Sequence, residues 1–125
     1  MKFAFSHRYT PPAPVLEATL STLSGEKRAK TIALIDTGAD ATIVPLSILL
    51  HLEARPAFSS RLRSQWGEHR QVLLYLVDIQ IDESTFPGAY VVGDGLGEEV
   101  ILGRDLLNRL KITLDGPAAT VQIDL

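Results

Sequence analysis

The chain has 125 residues, with 12 Lys and Arg against 15 Asp and Glu for a net charge of −3. That length suits one domain, and that balance argues against a surface built to neutralise nucleic-acid phosphates. Apolar residues at 46% and charged residues at 22% describe a globular chain rather than a disordered or fibrous one, and the absence of cysteine excludes disulfide frameworks, thiolate zinc sites and cysteine nucleophiles together.

Residues 1–9 hold only a short apolar stretch before His7 and Arg8, unlike a signal peptide, and no run approaches the ~18 residues of a membrane helix. The expectation is a soluble, cytoplasmic protein with no membrane partner. Pro11, Pro12 and Pro14 cannot donate to a central ladder, so they close an N-terminal arm, 1–14, that is a candidate edge strand ahead of a body spanning 15–125. The segments 15–23 and 30–35 flank Ser24-Gly25-Glu26-Lys27 and predict a hairpin. Pro45 is suited to start one turn of helix reaching about His51.

Further along, 61–70 (RLRSQWGEHR) is polar and holds the only tryptophan. The β-branched and aromatic run 72–81 predicts a strand, and Pro87-Gly88 reads as a turn before another at 89–92. After Gly103, Leu106, Leu107 and Leu110 fall at helical spacing, with Asp105 in the first turn as the helix dipole favours. The segments 111–114 and 119–125 flank Asp115-Gly116-Pro117 and predict a terminal hairpin. The whole reads as all-β with one convincing short helix.

The chemistry concentrates in residues 33–45 (ALIDTGADATIVP), where an apolar strand ends in the carboxylate of Asp36 and the chain turns at a glycine. A second β-prone run follows. Taken alone, Asp-Thr-Gly is an ordinary turn opener. Its weight comes from 100–107 (VILGRDLL), a hydrophobic run, a glycine and a helix that begins with arginine. Together the two segments resemble the retropepsins, the retroviral-type aspartic proteases, including their single-domain bacterial members. The likeness extends in element order from about residue 15 to the C-terminus.

That resemblance implies the retropepsin-like acid protease fold: a closed β-barrel half with a flap hairpin and one short C-terminal helix, active as a homodimer on peptide or protein substrates. An aspartic protease needs two carboxylates sharing a proton, one acting as base on a water and the other as acid toward the scissile carbonyl. One Asp-Thr-Gly per chain implies that Asp36 of two subunits meets on a two-fold axis. Thr37 would lock the two active-site loops across the dimer, Gly38 would bring backbone close to the substrate, and Ala39 completes the loop. Substrate contacts are implied for Gly38, Asp40 and the flap residues Gln65, Trp66 and Gly67. Asp40 and Arg104 would form a buried, bidentate brace, worth about 3–5 kcal/mol if one partner were lost. The terminal strands, 1–9 and 119–125, are candidates for an intersubunit sheet, because edges need partners.

Other readings stay open at this stage. Trp66 suits a flap tip and equally a core beneath a long loop. The run 93–97 (GDGLG) resembles a phosphate loop, but Glu98 and Glu99 would repel phosphate, and by position it instead lines the cleft. His7, His51 and His69 lack zinc-site spacing. Neither a metal nor an organic cofactor is expected. Two competing functions remain: a catalytically silent peptide-binding or dimerisation module on the same fold, and a structural β domain in which the Asp-Thr-Gly is coincidental.

Overall fold

The structure is a computed structural model that describes residues 1–63 and 66–124. Ten strands and two short helices follow one another as β1 (Lys2–Ala4), β2 (Val15–Ser21), β3 (Arg28–Ile35), β4 (Ile43–Pro45), α1 (Leu46–His51), β5 (Pro56–Arg63), β6 (His69–Ile81), β7 (Ser84–Asp94), β8 (Val100–Leu102), α2 (Arg104–Leu107), β9 (Lys111–Asp115) and β10 (Thr120–Asp124). The larger sheet has the order β2-β3-β8-β4-β7-β6-β5, and β2 pairs in addition with β6. That pairing closes six strands into a barrel and leaves β5 as a flange outside the ring.

Alternation explains the barrel. From Tyr75 onward, β6 buries Tyr75, Val77, Ile79 and Ile81 while the residues between them stay half-exposed, and β2 buries Val15, Leu16, Ala18 and Leu20 with Glu17 turned outward. Each strand therefore gives one face to a common core. Leu49 of α1, Leu106 and Leu107 of α2, and Val121 and Ile123 of β10 complete that core.

Two connections depart from the sequence-based expectation. Pro87-Gly88 is not a turn. The turn is Asp82-Glu83, where Asp82 takes a φ of 54° and Ile81 pairs with Ser84. Pro87 and Gly88 lie inside β7, at a register shift opposite Asp78, and Gly88 N–H donates to Asp78 Oδ1 at 2.9 Å. A bulge draws on the same residues as a turn, because both tolerate a proline that donates no ladder bond and favour a glycine at positive φ. The helix after Gly103 stops at Leu107, since Arg109 and Leu110 donate three residues back, to Leu106 and Leu107, in a tightened turn.

The arm is also placed differently. β1 pairs antiparallel with β10 of its own chain, Phe3 opposite Val121, in a three-stranded sheet ordered β1-β10-β9. The terminal strands thus satisfy each other within one subunit, and the open edges belong to β1 and β9. Farther along the arm, partial burial and then the Glu99 carboxylate raise the Tyr9 phenol above its ordinary pKa. A raised folded-state value means that ionisation opposes this docking only as the pH climbs past the free phenol's value.

Gly88 has a φ of 67° and nothing within 4 Å of where a Cβ would stand. Gly88→Ala therefore isolates the backbone cost of the bulge. It should destabilise the protein by about 1–2 kcal/mol, read as a melting midpoint lowered by several degrees in thermal unfolding.

Candidate active site

β3 and β4 are consecutive in sequence but not in the sheet, because β8 lies between them, parallel to β3 and antiparallel to β4. Residues 36–42 must therefore arch over the end of β8 and the start of α2. This arch carries the Asp-Thr-Gly. Asp36 N–H donates to Leu102 O at 3.1 Å, Ala39 N–H returns to Asp36 O at 3.2 Å, and Arg104 N–H donates to Ala39 O at 2.8 Å. Gly38 N–H donates to Asp36 Oδ1 at 2.9 Å, so one carboxylate oxygen is oriented by the turn. Asp36 is half-buried, and Thr37 and Gly38 are exposed on the open side.

Two sets of contacts hold the arch, one outside and one inside. Outside, Arg104 Nη1 donates to Thr37 O at 2.7 Å and Arg104 Nη2 is ion-paired with Asp40 Oδ1. The guanidinium thus spans the turn instead of gripping Asp40 with both nitrogens. The side chains are 42% and 82% exposed, which corrects the expectation of a buried, bidentate brace: solvent screens the pair, and its effect on stability is small.

The inner set is more sheltered, with Thr42 and Gly103 buried and Asp105 reaching them from an exposed position. Thr42, 1% exposed, donates its hydroxyl to Asp105 Oδ1 at 2.8 Å and its N–H to Asp105 Oδ2 at 3.2 Å. The same hydroxyl accepts from Gly103 N–H at 3.2 Å. Gly103 has no side chain to spare here, because a Cβ would stand 2.5 Å from the Ala41 carbonyl carbon and oxygen. The sequence reading gives Thr42 no role and Asp105 only that of an acid in the first turn of the helix. The available signal was a hydroxyl within an otherwise apolar run (Ala41, Ile43, Val44), since a buried polar group requires a partner.

Above the arch stands the β5–β6 hairpin. Its strands pair from Phe58–Leu74 to Arg63–His69, so 61–63 and 69–70 lie at the distal end of the paired strands. A cavity of 320 Å³ separates it from the arch, lined by Gly38, Ala39, Asp40, Ala41 and Ile43 below and by Leu62 and Arg63 above. A second, also of 320 Å³, shares Ile43 and Leu62 and runs on to Arg70, Tyr75 and Asp94. Gly93, Asp94 and Gly95 line that second space, which places the glycine-rich loop beside it. Trp66 is 82% exposed, so it is no core tryptophan, and neither it nor Gly67 lines either cavity. Gln65 lies outside the described residues. Among the described residues no three His, Asp or Glu side chains are grouped to hold a metal ion, and no helix is long and apolar enough to cross a membrane.

Residues 11–115 match the family model of the retroviral aspartyl protease. No curated protein matches the sequence. Among solved structures, a retropepsin-like aspartic protease from Rickettsia conorii superposes with a TM-score of 0.69 at 15% identity, covering 97% of this chain and 86% of the other. The EIAV protease complexed with the inhibitor HBY-793 gives 0.58 at 17% identity over 78% and 86%. The simian foamy virus (mac) protease gives 0.55 at 22% identity over 75% and 91%. These likenesses extend to the fold.

The two sets of contacts predict different mutational costs. Thr42→Val keeps the volume but deprives Gly103 N–H and Asp105 of a partner, and should lower stability by about 2 kcal/mol, with Thr42→Ser recovering most of it. Arg104→Ala should cost at most about 1 kcal/mol. Chemical denaturation of the three variants gives the comparison, and an Arg104→Ala loss exceeding that of Thr42→Val would reverse the assignment.

Proposed function

Because the chain belongs to the retroviral aspartyl protease family, we propose that it is an aspartic endopeptidase in which Asp36 is the catalytic residue. The observation that carries this reading is the placement of Asp36. It stands half-buried at the end of a barrel strand, one oxygen fixed by Gly38 N–H, on an arch that faces a cavity roofed by a hairpin. A turn-opening aspartate needs no such roof.

Each chain brings one such carboxylate, so the active unit is a homodimer with both Asp36 side chains at the two-fold axis. The ionised member removes a proton from water as the oxygen attacks the scissile carbonyl carbon, and the protonated member donates its proton to the carbonyl oxygen. The resulting gem-diol collapses as the amide nitrogen accepts a proton and the C–N bond breaks. Thr37 and Ala39 shape the loop, Gly38 and Asp40 face the peptide backbone from below, and the hairpin end with Trp66 and Gly67 closes from above. Arg104 holds the turn through Thr37 O and Asp40.

Asp36→Asn retains the side-chain volume and the acceptor for Gly38 N–H while removing the acid–base couple. Peptide cleavage should fall by at least about a thousandfold, with the melting midpoint and sedimentation coefficient unchanged. Retained cleavage within tenfold of wild type would remove Asp36 from the mechanism. Binding of a peptide with a central hydroxyl by both proteins, without cleavage by either, would favour a silent binding module instead.

A further inference from the structure

Residues 55–70 contain four of the chain's eight arginines, Arg55, Arg61, Arg63 and Arg70, and one carboxylate, Glu68, within a chain of net charge −3. The hairpin above the arch is cationic over an acidic body. Charge on β5 also discourages edge-to-edge association, but any position along the strand would serve that end. Arg63 is placed more specifically. It lines the cavity above Gly38, Ala39, Asp40 and Ala41, and among the described residues its side chain makes no hydrogen bond or ion pair.

Asp40 is the one carboxylate among the residues lining this cavity, and Arg104 already pairs with it. The cavity therefore has an unmatched positive charge at its roof. The neighbouring cavity differs, because Arg70 shares it with Asp94 and the two charges offset each other. Ile43 and Leu62 give the first cavity apolar walls suited to the methylenes of a glutamate. A carboxylate reaching past them to the guanidinium would gain a charge-assisted, two-pronged bond, strengthened where the peptide and hairpin exclude water.

Building on the endopeptidase reading above, we propose that Arg63 is a specificity-determining residue and that the substrates are acidic peptide segments whose glutamate occupies this cavity. The glutamate flanks the scissile bond without adjoining it. Asp36 does not line the cavity, and a carboxylate placed against the catalytic pair would be repelled.

The test uses fluorescence-quenched peptides with a fixed apolar pair at the scissile bond and Glu, Gln or Lys at each flanking position. Uncleavable versions with a central hydroxyl are measured in parallel for affinity. At one flanking position Glu should exceed Gln by about tenfold in kcat/KM and in affinity, and the ratio should shrink as salt rises. Arg63→Gln should abolish the ratio. Arg55→Gln, the same charge change outside the cavity, should leave it intact.

Cleavage of Glu, Gln and Lys peptides at equal rates would overturn the acidic preference while leaving the protease reading in place. An equal loss of the ratio in both variants would assign it to the hairpin's overall field and overturn the role of Arg63. Tighter binding of Glu peptides without any cleavage would keep this inference and remove the catalytic one. Neither cleavage nor discrimination in binding would remove both.

Discussion

The Thr42 hydroxyl is the point on which the arrangement turns. It sits where two segments remote in sequence, the arch after β3 and the start of α2, are pressed together by the insertion of β8 between β3 and β4. One oxygen serves as donor to Asp105 and acceptor from Gly103. Thr42 and Gly103 are buried, so the Gly103 N–H would be an orphan without the hydroxyl, whereas the exposed Asp105 carboxylate can also turn to water. Asp36 inherits its position from this contact and from Leu102, whose carbonyl receives the Asp36 N–H. The exposed guanidinium of Arg104 then sets the orientation of the outer turn with little effect on whether the fold forms.

The barrel and the hairpin differ in how firmly they are held. The six closed strands share one core, whereas β5 pairs only with β6, touches β7 through the Phe58 ring against Tyr90, and has Leu62 as its sole half-buried residue. Burial this shallow gives the hairpin a low free energy of local opening relative to the barrel. The register shift between Pro56 and Phe58 lies at its base, where a change of direction disturbs no core packing. On the endopeptidase reading proposed above, a peptide would enter between hairpin and arch without the barrel yielding, and would be met from above by residues of the least buried strand of the sheet.

Much of this was legible in the sequence, for identifiable reasons. The β-branched and aromatic content of 72–81 and the apolar run of 30–35 marked strands because such side chains pack well on a pleated, half-buried surface. The pairing of Asp-Thr-Gly with Leu-Gly-Arg-Asp pointed to the arch and its helix, and Asp40 and Arg104 do meet. β5 escaped because a strand exposed on both faces shows no alternation, and Pro87-Gly88 misled because a bulge and a turn draw on the same residues. The depth of the Asp40–Arg104 pair could not be read at all: charge and spacing give contact, while burial depends on what else packs nearby. Thr42 looked like a β-branched filler in an apolar run, and only the third dimension supplies its partners.

The three-stranded sheet imposes an order on assembly. β10 is the middle strand, bonded to β9 on one side and to β1 on the other, with Met1 N and O both joined to Ile123. The β9–β10 hairpin is local and can form early. β1, made well before β10, has no partner until that strand has emerged, and loop-closure entropy across the span between them makes its docking a late step. While the polypeptide grows, Phe3 and Phe5, which finally pack against the core, remain in water on an unpaired edge. The growing chain thus carries an unpaired apolar strand until β10 appears.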